Sequence, residues 1–172
     1  MNDEAAMLKE KYDSWYVVMD DALEEFYDLL PPDLCEKLDY SFASLDVLED
    51  WILLQFSSID DIQKILLRIR EGREPGKEAQ ILDGASRYVG ETFIRLIGGY
   101  WDVPTDDPRN VYYGIPIVTG YKERPTPECP ITLVTASTDR RTGKYIRTVF
   151  ENISRSLPKK AGSTPLSNPL SK

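Results

Sequence analysis

Residues 82–101 constrain the fold more than any other stretch, because their pattern predicts one long amphipathic helix that ends at two glycines. Apolar side chains recur along them at helical spacing and make a stripe wide enough for a buried face. Gly98 and Gly99 end the helix, since glycine readily adopts the left-handed conformation of a C-terminal cap. Tyr100 and Trp101 then begin an extended segment, and we expect the other elements to pack around this helix. The stripe consists of Leu82, Ala85, Ser86, Val89, Phe93, Leu96 and Ile97.

The opposite side of this helix carries four charges of alternating sign, each four positions after the last: Asp83, Arg87, Glu91 and Arg95. Such a row is typical of a solvent-exposed ladder of ion pairs, each worth about 0.2–0.5 kcal/mol. A second interpretation stays open, in which Glu91 acts with Arg87 or Arg95 as a ligand-binding or catalytic site. The cleft for that site would lie beside Tyr88 and Trp101.

Gly90 lies inside the predicted helix, where a glycine costs about 1 kcal/mol relative to alanine. A neighbouring element must therefore pack closely against this position. Another helix or the sheet is the expected neighbour, and a bound ligand is the less favoured one.

The remaining elements follow from periodicity and composition. Residues 5–30 carry a clean helical stripe that stops at Pro31 and Pro32, because the residue before a proline is pushed out of helical geometry. Ser44 is the expected N-cap of a second helix, and the β-branched residues over 131–136 predict a strand. The expected set is helices over 5–30, 33–37, 44–56 and 142–155, a helix opened by Ser58, and strands from Tyr100, over 111–118 and over 131–136.

Helices come first in this chain, short strands follow and a helix ends it, which is the order of an α+β protein. We predict a helical N-terminal two-thirds packed on a small, mostly antiparallel sheet, with a C-terminal helix. A chain of 172 residues with 41% hydrophobic residues can build one such core. The predicted single domain covers residues 1–156. Residues 157–172 are rich in Pro, Ser, Lys and Gly and are predicted to be a disordered tail.

Composition also indicates where the protein works. The first residues are acidic and do not resemble a secretory signal, and no apolar run approaches the roughly 18 residues of a membrane span. Cys35 and Cys129 are far apart and are expected to be reduced thiols. We therefore expect a cytoplasmic protein that does not bind membranes.

The chain contains no histidine, which excludes Ser–His–Asp and Cys–His catalysis as well as His-ligated zinc. Residues 138–144 form a basic loop, but they lack the glycine and Ser/Thr spacing of a phosphate-binding loop. Adjacent acidic pairs likewise lack the spacing of a calcium loop. We therefore expect no cofactor and no metal, although carboxylates, Lys, Tyr and Arg remain for other chemistry.

Charge is distributed unevenly along the chain. Residues 1–61 hold 17 acidic and 3 basic residues, whereas residues 62–172 hold 12 acidic and 18 basic residues. An acidic half of this kind repels nucleic acid and favours a basic partner, or the basic half of the same molecule. The candidate contact residues on the first helix are Asp20, Asp21, Glu24 and Glu25. A second candidate surface is aromatic, since aromatics with a polar edge are enriched at interfaces, although the same residues are equally typical of the packing face of a sheet. Its members are Tyr88, Tyr100, Trp101, Tyr112, Tyr113 and Tyr121.

Three stretches resemble a group of small, largely uncharacterised bacterial proteins, some of which look like toxin-immunity proteins. They are residues 45–56 with Leu-Asp-Val-Leu-Glu-Asp-Trp, residues 85–101 with Gly-Glu before Gly-Gly-Tyr-Trp, and residues 130–136. The resemblance covers about residues 10–155 and transfers no active-site residues. It implies a cytoplasmic, non-enzymatic protein that binds a partner such as a basic toxin domain.

Three hypotheses of function remain at this point. The leading one is a non-enzymatic protein that binds a protein partner through its acidic helical face or its central aromatic surface. The second is a small-ligand binder or an enzyme that uses Arg87, Glu91 and Arg95. The third is a homo-oligomeric scaffold built through the first helix.

Overall fold

The computed structural model describes residues 3–71, 73, 76–121 and 126–157. Within these ranges, eight helices and a two-stranded antiparallel sheet form the predicted α+β fold, with a helix at the C-terminal end. No helix in these ranges combines the length and the apolar character that a bilayer crossing requires. The helices are α1 (Asp3–Val17), α2 (Met19–Asp28), α3 (Pro32–Cys35), α4 (Phe42–Gln55), α5 (Ile59–Arg70), α6 (Gly76–Leu96), α7 (Pro130–Arg140) and α8 (Tyr145–Ser156); the strands are β1 (Tyr100–Asp102) and β2 (Ile117–Thr119).

Helix α6 is the centre of the fold and packs against α2, α4, α5, α7 and β2. Its predicted stripe is buried from Leu82 to Phe93, whereas Leu96 and Ile97 at its end are more exposed. The chain leaves the helix through Gly98, whose φ of 111° is rarely taken by residues with a side chain. The central helix, its glycine stop and the packing of other elements around it are therefore confirmed.

The predicted helix over 5–30 is two helices, because Val18 separates α1 from α2. At this break Arg87 of α6 donates a hydrogen bond to the backbone carbonyl of Trp15. A side chain that enters the helical hydrogen-bond ladder is an established cause of a kink. Contact with the central helix thus divides a stripe that is continuous in the sequence.

The N-cap of helix α4 lies three residues before the cap expected at Ser44. Ser41 is the N-cap, and its hydroxyl accepts the backbone N–H of Ser44 at 3.1 Å. Ser44 is buried, and its hydroxyl is hydrogen-bonded to the hydroxyl of Tyr88 at 2.7 Å. The prediction of a Ser44 cap is wrong because that side chain serves a contact with α6.

The strand predicted over 131–136 is wrong, since these residues belong to α7. Pro130 lies in the first turn of α7, where its missing N–H has no intrahelical partner to lose. The hydroxyl of Thr135 donates to the carbonyl of Ile131 at 2.7 Å. The buried residues Leu133, Val134, Ser137 and Thr138 recur at helical spacing. Packing against α6 and α8 therefore outweighs the β propensity of this segment.

The sheet is smaller than predicted, because the strand expected over 111–118 is ordered as a strand only from Ile117 onward. Trp101 of β1 pairs with Val118 of β2, and Val118 also bridges to Glu128. The predicted extended segment after Gly99 is confirmed as β1.

Helix α8 closes the described part of the chain and confirms the predicted C-terminal helix. Its start is fixed by the buried carboxylate of Glu49 in α4, which accepts the backbone N–H groups of Tyr145 and Ile146 at 3.1 and 2.9 Å. The predicted tail lies outside the described residues from position 158 onward.

Candidate functional site

The outer side of α2 carries the four carboxylates that the sequence singles out, and we call Asp20, Asp21, Glu24 and Glu25 the acidic face. All four side chains are exposed. None of them takes part in an ion pair with another residue in the described part of the chain. The inner side of α2 is held in the core by Met19, Leu23 and Phe26. The acidic face is therefore presented to solvent on a helix whose inner side is anchored in the core.

Apolar side chains are exposed directly before the acidic face. Tyr16, Val17 and Val18 lie at the junction of α1 and α2, and the side chain of Val17 is 79% exposed. The junction places these apolar groups beside Asp20 in the chain. The junction therefore offers exposed apolar groups next to the exposed carboxylates of the acidic face.

Arg87, predicted as part of a solvent-exposed ladder, is only 3% exposed. Its Nε donates to Asp83 Oδ2 at 2.7 Å, and its Nη1 donates to the carbonyl of Trp15 at 2.9 Å. The guanidinium also lies 4.1 Å from the centre of the Trp15 ring. Trp15 Nε1 in turn donates to Asp83 Oδ1 at 2.8 Å. The prediction of an exposed row is wrong at this residue, because Arg87 fastens α1 and α2 to α6.

Glu91 and Arg95 contact different neighbours. Glu91 Oε1 accepts a hydrogen bond from Trp101 Nε1 at 2.8 Å. The guanidinium of Arg95 lies 3.6 Å from the centre of the Tyr40 ring. Arg87, Glu91 and Arg95 therefore contact three different aromatic residues, Trp15, Trp101 and Tyr40. Along the row, the ion pair within the described residues is Asp83 with Arg87.

Tyr88 is a core residue and does not line a cleft beside Glu91. Its hydroxyl accepts the backbone N–H of Tyr40 at 2.8 Å and is hydrogen-bonded to Ser44. Burial raises the pKa of Tyr88 above its ordinary value. The side chain thus ties α4 to α6 in its neutral form.

The two aromatic residues of β1 face opposite ways. Tyr100 is 59% exposed, whereas Trp101 is buried with its indole packed on α6. Alternation along a strand sends successive side chains to opposite faces. Of the predicted aromatic surface at this strand, Tyr100 is the residue available to a partner.

A concave region that the sequence does not reveal lies between α1, α6, α7 and residues 114–116. It encloses about 460 Å³ and has Tyr12, Trp15 and Trp101 in its wall. The rings of Trp15 and Trp101 meet edge to face, with centres 5.1 Å apart. Burial, followed by the charge of Asp102, raises the pKa of Tyr12 to about 12. The aromatic part of the wall is uncharged, and the charged residues Lys11 and Asp83 line the same concavity.

A second concavity of about 530 Å³ adjoins the first along α7. Ile115 and Ile131 line both concavities, which together we call the α7 groove. Besides these two isoleucines, the second concavity is lined by Ile59, Leu66, Thr132, Thr135, Ala136, Asp139 and Arg140. Predicting a strand over 131–136 hides this concavity, because a helix places residues 131, 132, 135 and 136 on one face, whereas a strand sends neighbouring side chains to opposite faces.

Comparisons with protein-family profiles, with curated proteins and with solved structures find no match for this chain. In the ranges that the structure describes, no group of three or more acidic or cysteine side chains is arranged to hold a metal ion. The acidic face and the α7 groove are therefore the features on which a function can be argued.

Proposed function

We propose that this protein is a non-enzymatic binding protein whose acidic face engages a basic surface of a protein partner. The observation that carries the proposal is the exposure of four carboxylates on α2 without an ion-pair partner in the described part of the chain. A basic partner would compensate charges that the folded chain leaves uncompensated.

The spacing of these carboxylates supports a role beyond stability. Asp20 with Glu24 and Asp21 with Glu25 are like-charge pairs at i,i+4, and each pair destabilises a helix by about 0.2–0.5 kcal/mol. The helix dipole favours Asp20 and Asp21 in the first turn, but it does little for Glu24 and Glu25 in mid-helix. These like-charge pairs lower the stability of α2. A partner that carries cations would relieve the repulsion between them.

The placement of Arg87, Glu91 and Arg95 supports binding over catalysis. Their polar groups contact Trp15, Trp101 and Tyr40, so these three charged residues have structural roles. An immunity-type role in the cytoplasm, in which the partner is a basic toxin domain, is the form of this proposal that the sequence resemblance favours.

The test is a capture experiment from host cells with three matched baits. The first is the wild type, and the second reverses the acidic face (Asp20→Lys, Asp21→Lys, Glu24→Lys and Glu25→Lys). The third reverses four other exposed carboxylates (Glu10→Lys, Glu36→Lys, Asp60→Lys and Glu78→Lys), which gives the same change in net charge.

The expected result is a stoichiometric partner that the wild type and the third bait retain and that the second bait loses. With purified partner, the affinity for the acidic-face variant should fall at least about tenfold, and the wild-type affinity should weaken as salt is raised. Equal binding by the second and third baits would refute the acidic face as the site. Circular dichroism and urea unfolding of all three baits verify that each is folded.

A further inference from the structure

We infer that the concavity of about 460 Å³ beside α1, α6 and α7 binds a small aromatic carboxylate, with the ring of the ligand against Trp15 and Trp101 and its carboxylate beside Lys11. We call this part of the α7 groove the aromatic cavity. Its described wall contains no residue of α2. The inference is therefore independent of the acidic face and of the proposed function.

The aromatic cavity has the size and the wall of a site for a small molecule. Pockets that bind small ligands usually have volumes of about 300–1,000 Å³ and mostly apolar walls. The cavity of about 460 Å³ falls within this range. Tyr12, Trp15 and Trp101 contribute aromatic rings to its wall, and Ile115 and Ile131 contribute aliphatic side chains. Such a wall favours a ligand with an apolar body.

Hydrogen bonds fix the orientation of the two indole rings before a ligand arrives. Trp15 Nε1 donates to Asp83 Oδ1, and Trp101 Nε1 donates to Glu91 Oε1, both at 2.8 Å. The two rings meet edge to face, with centres 5.1 Å apart. Because both N–H groups already have acceptors, the rings offer a ligand their carbon surfaces. Aromatic rings pack on such surfaces by offset stacking or edge to face, so an aromatic body is favoured over an aliphatic one.

The charges in the wall of the aromatic cavity favour an anion. Asp83 is compensated, because its Oδ2 accepts a hydrogen bond from Arg87 Nε at 2.7 Å and its Oδ1 accepts the one from Trp15. Lys11 is exposed and forms no ion pair with another residue in the described ranges. A ligand carboxylate would supply the charge-assisted hydrogen bond that the Lys11 ammonium lacks.

A cationic ligand suits this cavity less well, although aromatic rings can bind cations. The guanidinium of Arg87 already lies 4.1 Å from the centre of the Trp15 ring, and Lys11 would repel a second cation. Burial, followed by the charge of Asp102, raises the pKa of Tyr12 to about 12, so its phenol is uncharged near neutral pH. Asp102 itself does not line the cavity.

The experiment titrates the full chain by calorimetry with naphthoate, naphthamide and naphthylmethylamine. These probes share one aromatic ring system and are anionic, neutral and cationic in turn. Cyclohexanecarboxylate serves as a further probe, because it carries the carboxylate without the aromatic ring. We expect naphthoate to bind about three- to tenfold more tightly than each of the other three. Equal affinity for naphthoate and naphthamide, or no binding of naphthoate at millimolar concentration, would overturn the inference.

The tryptophan side chains report where the probe binds, because the chain contains three of them. In NMR spectra, saturation with naphthoate should shift the indole N–H signals of Trp15 and Trp101. Trp51 is the internal control, since its ring packs near Phe26 and does not line the aromatic cavity. A shift of the Trp51 signal as large as the other two would place the probe elsewhere and overturn the inference.

Variants then test the charge and the space separately. Lys11→Gln should lower the affinity for naphthoate to that for naphthamide and leave naphthamide binding unchanged. Lys37→Gln is the matched control, because it makes the same change in charge at an exposed position outside the cavity. Ile131→Phe reduces the space in the cavity and should weaken both probes. A preference for naphthoate that survives in Lys11→Gln, or equal losses in the two lysine variants, would overturn the inference.

Discussion

Trp101 packs its indole directly onto Gly90, so that a Cβ at position 90 would overlap the six-membered ring. Glycine at this point of α6 lets β1 approach the helix backbone. The approach also brings Trp101 Nε1 within 2.8 Å of Glu91 Oε1, so one residue supplies both the packing and the hydrogen bond that hold the sheet to the central helix.

Substituting Gly90 with alanine should destabilise the protein, although alanine is the better helix former. The gain in helix propensity is about 1 kcal/mol, whereas overpacking a core typically costs about 1–3 kcal/mol. We expect a net loss of up to about 2 kcal/mol in the free energy of urea unfolding, which is the difference between these two values. In a Trp101→Leu background the obstacle is removed, so the same substitution should be neutral or stabilising. An equal loss in both backgrounds would contradict the role given to the indole.

Replacing Arg87 with methionine should destabilise the protein by about 2–3 kcal/mol, which is somewhat less than the roughly 3–5 kcal/mol that breaking a fully buried ion pair costs. The loss is moderated because Asp83 is 45% exposed and can be solvated by water. Arg95→Met is the control, since Arg95 is exposed and its contact with Tyr40 should be worth about 0.5–1 kcal/mol. Urea unfolding of both variants tests the prediction, and similar losses would mean that Arg87 does not fasten α1 and α2.

The stability contributed by Glu49 should increase as the pH falls. Burial raises the pKa of Glu49 above 4.5, and the N–H donors of Ile146 and Tyr145 oppose this only in part. Between pH 4.5 and the raised pKa, the folded state binds a proton that the unfolded state does not, so stability decreases as the pH rises through that pKa.

The measurement for Glu49 compares the wild type with Glu49→Ala, which leaves the first N–H groups of α8 without their acceptor. We expect the variant to be less stable by about 2 kcal/mol at pH 7, the cost of losing a cap. The gap should be wider at pH 5. A gap that narrows on acidification would contradict the raised pKa of Glu49.

How far the sequence predicts this fold can be judged from α6 and α7. The stripe of α6, its glycine stop and the close approach at Gly90 follow from periodicity and from the cost of glycine in a helix, which are local properties. The helical state of α7 depends on α6 and α8, which cover Leu133, Val134, Ser137 and Thr138. Its β-branched residues favour a strand when read alone, and only tertiary packing reverses that preference.

The candidate site divides in the same way. The exposed carboxylates of the acidic face follow from helical spacing alone, because residues 20, 21, 24 and 25 lie opposite the apolar stripe. The α7 groove could not be predicted from the sequence. Its prediction requires knowing that residues 130–140 are helical and that Trp15 and Leu66, which are distant in the sequence, lie near them in the fold. Arg87 is a third case. Its helical spacing on α6 is predicted correctly, but its burial is not, because Trp15 of α1 covers the guanidinium.

Glu151 in α8 should show the opposite pH behaviour from Glu49. Arg147 Nε donates to Glu151 Oε1 at 2.8 Å, and this hydrogen bond holds the pKa of Glu151 below its ordinary 4.5. A depressed pKa means that the stability it contributes is present above pH 4.5 and is lost as the pH falls through the folded-state value. The ¹³C carboxyl shifts of the side chains, followed by NMR from pH 7 to 2.5, measure that pKa directly.

Two substitutions identify the cause. In Arg147→Gln, the pKa of Glu151 should rise back toward 4.5, because the charged donor that lowers it most is gone. In Arg155→Gln the rise should be smaller, since Arg155 is more exposed than Arg147 and donates at 3.1 Å. A larger rise in the Arg155 variant would assign the effect to the wrong arginine. Arg147 also donates to Asp46 Oδ2 at 2.9 Å, so its loss should weaken the contact between α4 and α8 as well.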